Sequence, residues 1–191
     1  MYKVQVEIQT IVPYKQDRFT EKNKDRADKG KSSKKDTWDQ RQKDWEDKIY
    51  KDNKGCYVPV SHIYHSLLNG LSGQPPLVSN KVKLNKPTTK ATIFIEESKI
   101  YIYNGKIKKK YDEMDVFSTV NKNAIGKPRV TSAHPMFNPP LTASFTINVT
   151  QDYLLPEVLK EGLERAGQCY GIGAGRPIYG RFLVKKFKVS K

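Results

Sequence analysis

ASFTINVTQDYLLPEVLKEGLERAGQCYGIGAGRPIYGRF, residues 143–182, carries the pattern of a complete strand–helix–strand unit. Its first seven residues alternate apolar and polar side chains, which is typical of a half-buried strand. Asp152 and Pro156 then open a helix. Its apolar residues share one broad face: Leu155, Leu159, Leu163, Ala166 and Tyr170. A glycine-rich turn follows, and a last strand is expected to end near Val189.

The N-terminal part predicts a second unit of the same kind. Residues 2–12 alternate apolar and polar side chains until Pro13, so they predict a strand. Ser61 is suited to cap a helix that would stop at Gly70. Residues 92–95 and 99–103 predict strand, interrupted by a turn.

The resulting order is strand, helix, strand, strand, helix, strand. We therefore predict an α+β fold with a ferredoxin-like or RRM-like βαββαβ core, whose helices cover one face of the sheet. The other face is left free, and in many RNA-binding proteins of this shape that face meets the nucleic acid.

The 191 residues predict one domain, 1–191, that carries two insertions. Residues 15–57 form a charged insertion after the first strand, in which Asp36 is suited to cap a helix bearing Trp38, Trp45 and Ile49. Residues 104–141 precede the third strand and end in a proline-rich stretch, so we predict a loop-like insertion there.

The charge balance points to polyanionic partners. The chain has 35 Lys and Arg against 20 Asp and Glu, a formal net charge of +15. Residues 15–55 hold 14 basic and 10 acidic side chains, so most of the surplus lies in the part that looks folded. This distribution favours a basic binding surface, with RNA or another single-stranded nucleic acid as the first candidate partner.

Other function classes find little support in the sequence. The chain has two cysteines and three histidines with no Cys-x-x-Cys, so neither a disulfide framework nor a metal site is expected. We expect no cofactor. The N-terminus has no continuous apolar region, and no apolar run reaches the ~18–20 residues that span a bilayer. A cytoplasmic protein with no membrane partner is expected.

The glycine-rich segment 171–181 is the most informative motif. Glycine lets a backbone approach phosphate closely, the forked charges of Arg176 and Arg181 suit phosphate, and Tyr179 offers a stacking surface. The alternative is a tight helix-to-strand connection in which the glycines only make room. The spacing fits neither the P-loop nor the dinucleotide fingerprint, which argues against NTP or NAD binding.

Two segments resemble the RAMP superfamily, the ferredoxin-like proteins that form backbone and processing subunits of CRISPR systems. Gly171-Ile172-Gly173…Gly180-Arg181-Phe182 is similar to the glycine-rich loop of that family. Residues 58–67 are similar to the start of its first helix, with Val60 and Tyr64 where the family has Gly and Lys or Arg. The ending also resembles small phage proteins. This resemblance implies a CRISPR-associated or phage-encoded RNA-binding protein that assembles with copies of itself or with other RAMP subunits.

The remaining candidate contacts to nucleic acid are basic residues outside the glycine-rich segment, together with the helix start. They are Lys108, Lys109, Lys110, Lys127, Arg129, Lys185, Lys186, Ser61 and His62. If about six phosphate contacts form, binding weakens by about three orders of magnitude between about 50 and 200 mM salt.

Two other functions are compatible with the sequence, although we expect no catalytic residue. A metal-independent endoribonuclease would use His62 or His65 as general acid or base. An interaction protein of phage origin, which modulates a host nucleic-acid machine, would use the Trp38/Trp45 helix as its contact. The resemblance also directs attention to Asp44, Asp47 and Asp52, which we interpret as solvated charges.

Overall fold

The chain has an α+β fold with antiparallel sheets and three helices in the part that the structure describes. The structure, a computed structural model, describes residues 1–19, 45–120 and 129–190, and it describes no side chains at 118–120 and 129–131. The strands are β1 (Tyr2–Thr10), β2 (Tyr14–Lys15), β3 (Tyr57–Pro59), β4 (Val78–Ser79), β5 (Val82–Lys83), β6 (Ile93–Ile95), β7 (Lys99–Tyr101), β8 (Tyr103–Asn104), β9 (Lys106–Ile107), β10 (Glu113–Val120), β11 (Arg129–Phe137), β12 (Thr142–Val149) and β13 (Phe182–Ser190). The helices are α1 (Val60–Ser72), α2 (Lys86–Thr92) and α3 (Pro156–Arg165), and a π-helical turn, Ala166–Tyr170, extends α3.

The main sheet is built around β1. This strand pairs with β12 on one side and β13 on the other, and β6 pairs with the far side of β12, so the order is β13-β1-β12-β6. All of these pairings are antiparallel. Val4 lies opposite both Ile147 and Val189, which puts apolar residues of three strands on the same face. The alternation in the sequence predicted these strands because period two places alternate side chains on one face.

Helices α1 and α3 cover that apolar face and cross each other closely. Gly70 of α1 lies against Gly162 of α3, and a Cβ on Gly70 would come 2.9 Å from the Cβ of Ala166. Gly70 therefore does not end the helix, as the sequence suggested, but lies inside it because the crossing leaves no room for a side chain. The cap is also different from the prediction: α1 begins at Val60 after Pro59, and Ser61 lies in its first turn.

The segment 104–141 is not the loop-like insertion that its prolines suggested. β10 and β11 pair along their whole length, and the end of β11 pairs with β2. Ala133, Pro135 and Phe137 are buried in alternation with more exposed residues, the pattern of a strand. The prolines concealed this pattern, since proline in a sequence normally argues against a strand.

Two further features of the fold differ from, or were absent from, the sequence prediction. The sequence analysis did not predict helix α2, and Thr92 ends this helix rather than beginning a strand. Asn85 and Thr88 form a capping box, which is the signal in the sequence that would have revealed the helix. In the charged insertion, Trp45 is only 6% exposed, so it is part of the packed interior. Asp36, Trp38 and Asp44 lie outside the described residues.

Within the described ranges, no helix combines the length and the apolar character that crossing a bilayer requires.

Candidate functional site

The glycine loop, residues 171–180, is held against β2 by its own backbone. The amide of Ala174 donates to the Lys15 carbonyl at 2.9 Å, and the amide of Gly180 donates to the Pro13 carbonyl at 2.9 Å. Gly173 has φ +78°, and a Cβ there would collide with the Lys15 carbonyl and the Tyr14 ring. Glycine is therefore required at position 173 for both conformation and space.

These anchors limit what the loop backbone can offer to an anion. The amides of Gly171, Ile172 and Tyr179 also donate within the protein, to Ala166, Gly180 and Gly175. Amides that already donate to carbonyls cannot bind phosphate without breaking those bonds. Recognition of an anion at this loop therefore depends mainly on side chains.

Arg176 lies close enough to the start of α1 to affect the ionisation of His62. Burial, and to a smaller extent the charges of Arg176 and His65, together lower the pKa of His62 to about 4. The Nδ1 atom of His62 lies 3.1 Å from the Tyr14 hydroxyl. His62 is therefore neutral at pH 7, and the positive charge at this point comes from Arg176.

The first turn of α1 adds to this positive character. It contains no acidic residue, and Ser61 in that turn is exposed. A helix N-terminus carries a partial positive charge and favours anions. Two of the residues that the sequence singled out, Ser61 and His62, thus lie in the first turn of α1, and the charge of a third, Arg176, acts on His62 from a distant part of the chain.

An open cavity lies on the other side of the loop. Its volume is about 630 Å³, and it is bounded by Asn69 of α1, by the π-helical turn and by the glycine loop. The lining residues are Asn69, Cys169, Tyr170, Gly173, Ala174, Gly175, Arg176 and Pro177. Arg176 therefore borders both the cavity and the neighbourhood of His62.

Tyr179 and Arg181 have partners within the protein. The Lys15 ammonium lies 3.3 Å from the centre of the Tyr179 ring, so one face of this ring is already covered. Arg181 is exposed and donates from Nε to the Pro177 carbonyl at 2.9 Å. The roles predicted for these two residues, stacking and phosphate contact, stay predictions.

The other predicted basic residues are spread over the surface. Lys185 is exposed, and Lys186 pairs with Glu7 at 3.0 Å on the open face of the sheet. Lys108 pairs with Asp112, Lys109 contacts the Lys54 carbonyl, and Lys110 is exposed. Lys127 lies outside the described residues, and Arg129 is described only as backbone of β11.

The open face of the sheet is polar on its two central strands, its charges are partly neutralised by ion pairs, and its flanking strands expose Phe94, Tyr103 and Leu183. The outward positions of the two central strands carry no aromatic side chain; they are Lys3, Gln5, Glu7, Gln9, Thr142, Ser144, Thr146 and Asn148. Lys3 pairs with Glu96 at 2.8 Å, in addition to the Lys186–Glu7 pair. The glycine loop and the start of α1 are therefore the better candidate site than this face.

Sequence reasoning missed a row of rings that leads away from His62. The ring centres of Tyr101 and Tyr57 are 6.3 Å apart, those of Tyr57 and Tyr50 6.0 Å, and those of Tyr50 and His62 5.5 Å. Each of these rings is partly exposed. The signal was present in strands β3 and β7, where Tyr57 and Tyr101 alternate with buried apolar residues, but their pairing is a tertiary feature.

A buried glutamine connects the row with the site. Gln16 donates from Nε2 to the Tyr57 carbonyl at 2.8 Å and accepts at Oε1 from the Tyr50 amide at 2.7 Å. The same Nε2 lies 3.4 Å from the hydroxyl of Tyr14, the partner of His62. Gln16 thus holds the backbone of the row in a defined position beside the start of α1.

Asp52 orients the far end of the row. Its carboxylate accepts from Lys99 at 2.8 Å and from the Tyr101 hydroxyl at 3.0 Å. The hydrogen bond from Lys99 and then that from Tyr101 lower the pKa of Asp52 to about 2 despite partial burial. Asp52 is therefore fully ionised at neutral pH and engaged by these partners.

The described residues offer little that indicates catalysis by a metal. No group of three or more histidine, cysteine or acidic side chains suited to a metal ion occurs among them. His134 lies 3.4 Å from Asp17 and packs against Phe117, and His65 is exposed. Asp47 is exposed as well.

Comparison with known proteins gives a likeness in fold. No family model and no curated protein matches the chain. Among solved structures, the chain is similar to one in the cryo-EM structure of the Type III-B Cmr-beta bound to cognate target RNA, with 16% identity and a TM-score of 0.52. The similarity covers 100% of this chain and 61% of the other, so this chain spans less than two thirds of its neighbour's length.

Proposed function

We propose that this protein binds RNA or another single-stranded nucleic acid, along its sugar–phosphate backbone, at the site formed by the glycine loop and the start of α1. The observation that carries the proposal is the position of Arg176, which is exposed on the anchored glycine loop, borders the cavity with Asn69 of α1, and carries a charge that lowers the pKa of His62 in the first turn of α1. An arginine fork beside a helix N-terminus is suited to a phosphate group.

The proposal extends to the fold. The strand order β13-β1-β12-β6 supports a ferredoxin-like core. Along the chain, α1 lies between β1 and β6, and α3 lies between β12 and β13, as such a core requires. We interpret the chain as a RAMP-like protein that assembles along a strand with copies of itself or with related subunits. The neighbour's printed description, bound to cognate target RNA, supports RNA as the first ligand to test.

The net charge supports backbone binding over an uncharged ligand. The chain carries +15, and Arg176 and Arg181 are exposed at the loop. Each phosphate that a protein neutralises releases counterions and makes the affinity depend on salt. The salt dependence of binding therefore reports directly on which cations contact phosphate.

The test is to change Arg176 and Arg181 together to alanine and to measure binding of a labelled 20-nucleotide RNA by fluorescence anisotropy at several salt concentrations. We expect a loss in affinity of about ten-fold or more, and a salt slope smaller by about two. The matched control changes Lys83 and Lys160 to alanine, since both are exposed and lie on other elements.

The control variant loses the same net charge, so it separates a site from a general field effect. Equal losses in the two variants would mean that the +15 charge acts as a whole and would remove the glycine loop from the site. Unchanged affinity and slope in the arginine variant would have the same consequence. Absence of binding to any strand would end the proposal.

A further inference from the structure

The row of rings that leads from the start of α1 to β7 has no role in a site that holds phosphates alone. We infer that this row, defined as Tyr101, Tyr57, Tyr50 and His62, is a stacking track for the bases of an unpaired strand whose phosphates are held by flanking cations. This inference rests on the proposed function and deepens it: the protein would bind the unpaired bases of the strand as well as its sugar–phosphate backbone.

The rings of the row meet at steep angles, and each of the four residues keeps part of its surface exposed. Neighbouring rings meet at interplanar angles of 71°, 55° and 88°, so none stacks face to face on the next. The four rings are partly exposed, and the other sides of β3 and β7 are buried through Val58 and Ile100. The tyrosines of these strands therefore stand on a packed support, with their rings towards solvent.

The spacing of the row favours a strand that is not in a duplex. Successive ring centres are 5.5 to 6.3 Å apart, whereas successive bases of one strand in a duplex are about 3.4 Å apart. One base on each ring thus requires a strand that is stretched and unstacked. Bases in a duplex have both faces covered by their neighbours and cannot reach the rings, so duplex would bind only through its phosphates.

Cations lie along the whole row. The Lys99 ammonium is 5.1 Å from the centre of the Tyr57 ring, and the Lys54 ammonium is 5.8 Å from that of Tyr101. Arg18 lies near enough to Tyr50 to lower its pKa, although burial, the larger effect, raises that pKa. The charge of Arg176 acts on His62 at the other end of the row, so positive groups border the row, although the Lys99 ammonium is also paired with Asp52 at 2.8 Å.

The combination of rings and cations is what distinguishes this row from a packing cluster. Base–aromatic stacking tolerates any sequence because every base has an aromatic face, and a cationic border supplies the attraction to phosphate. Tyr57 and Tyr101 are also a cross-strand pair and contribute to the stability of the β3–β7 sheet. A purely structural role would affect stability without distinguishing strands that have bases from strands that lack them.

The experiment uses that distinction. Binding of the full chain is measured, by anisotropy, to four probes of 20 nucleotides: an RNA strand, a DNA strand of the same sequence, a DNA strand of abasic sites, and the DNA duplex. For the unaltered protein we expect the abasic strand and the duplex to bind at least about ten-fold more weakly than the strands with bases. The RNA and DNA arms decide between the two kinds of strand.

The variant changes Tyr57 and Tyr101 to leucine. We expect it to lose most of the preference for bases over abasic sites while keeping its affinity for the abasic strand. The ratio of the two affinities is the readout, because it cancels any loss of folded protein. Changing both tyrosines to phenylalanine keeps the rings and should keep the preference. Phe94, 58% exposed on β6, provides the matched control as Phe94→Leu.

The possible failures of the two proposals can be told apart. The stacking track is ruled out if the leucine variant keeps the full preference for bases, or if the unaltered protein binds abasic strand and duplex as well as the strands with bases. Either of these two outcomes is also what we would expect if the row were an interface for a protein partner. Suppose that the variant with leucine at positions 57 and 101 loses the preference for bases, while the Arg176 and Arg181 variant binds normally. The stacking track then stands, and the glycine loop is not the phosphate site.

Discussion

The buried ammonium of Lys15 lies 3.3 Å from the centre of the Tyr179 ring and also pairs with the carboxylate of Asp115. The Lys15 side chain is 5% exposed, and its carbonyl accepts the amide of Ala174. One residue of β2 thereby joins the β10–β11 hairpin to the glycine loop. The position of the loop is thus coupled to the stability of a segment distant in sequence.

We expect Lys15→Met to destabilise the protein by about 2–4 kcal/mol, because it removes the cation from the ring and leaves Asp115 without its partner. Urea unfolding measures this free energy. Hydrogen exchange at the Ala174 amide should become faster, because the loop loses the contact between the Lys15 ammonium and the Tyr179 ring that supports the two backbone hydrogen bonds. Lys160→Met, on the exposed side of α3, should change neither quantity. Unchanged stability and exchange in Lys15→Met would show that the lysine does not hold the loop.

A second prediction concerns the space at Gly173. Gly173→Ala should destabilise the protein by several kcal/mol and weaken binding to RNA, because the methyl group collides with the Lys15 carbonyl and forces the loop off β2. Gly105→Ala is the matched control: its φ is +71°, but nothing lies within 4 Å of the added Cβ. It should cost only about 1–2 kcal/mol of backbone strain. Equal losses in thermal stability would contradict the close approach at Gly173.

His62 predicts a pH dependence of stability with a defined sign. Its pKa is about 4 in the folded protein and about 6.5 in the unfolded chain, so between these values the unfolded chain binds the extra proton. His62 therefore does not reduce the free energy of unfolding above pH 6.5. As the pH drops from 6.5 towards 4, protonation of His62 in the unfolded chain lowers that free energy. From pH 7 to pH 5 the loss is about 2 kcal/mol.

The comparison with His62→Gln isolates this effect from other groups that titrate in the same range. We expect the stability of the unaltered protein to fall more steeply, by about 2 kcal/mol, than that of the variant over pH 7 to 5. Parallel profiles would mean that His62 is not held in its neutral form by burial and Arg176.

The low pKa of His62 also makes this residue poorly suited to catalyse RNA cleavage. With a pKa of about 4, His62 is unprotonated at pH 7 and cannot serve as general acid, and the same low pKa makes it a weak general base. We expect labelled RNA to stay intact on incubation with the protein without metal. Cleavage that disappears in His62→Ala or His65→Ala would instead support the endoribonuclease alternative.

Local patterns were sufficient to predict β1, β12, β13, α1, α3 and the surplus of positive charge. Period-two and helical alternation depend on side chains near one another in sequence, so they can be recognised before the fold is known. The same reasoning identified Arg176 and His62 as candidates. It failed for the β10–β11 hairpin, where Pro135 concealed the alternation. It also failed for Gly70, because glycine is needed there to make room for α3 and not to end α1.

Composition and periodicity are therefore enough for β1, β12, β13, α1 and α3, for their order along the chain and for the net charge, but not for α2 or for the β10–β11 hairpin. Which side chains meet depends on the folded chain: Lys15 contacts Tyr179, Tyr14 contacts His62, and Tyr101 contacts Tyr57. These contacts join residues far apart along the chain, and their formation depends on the register of strands and the crossing of helices. No local pattern encodes that register, since it results from packing the whole core at once.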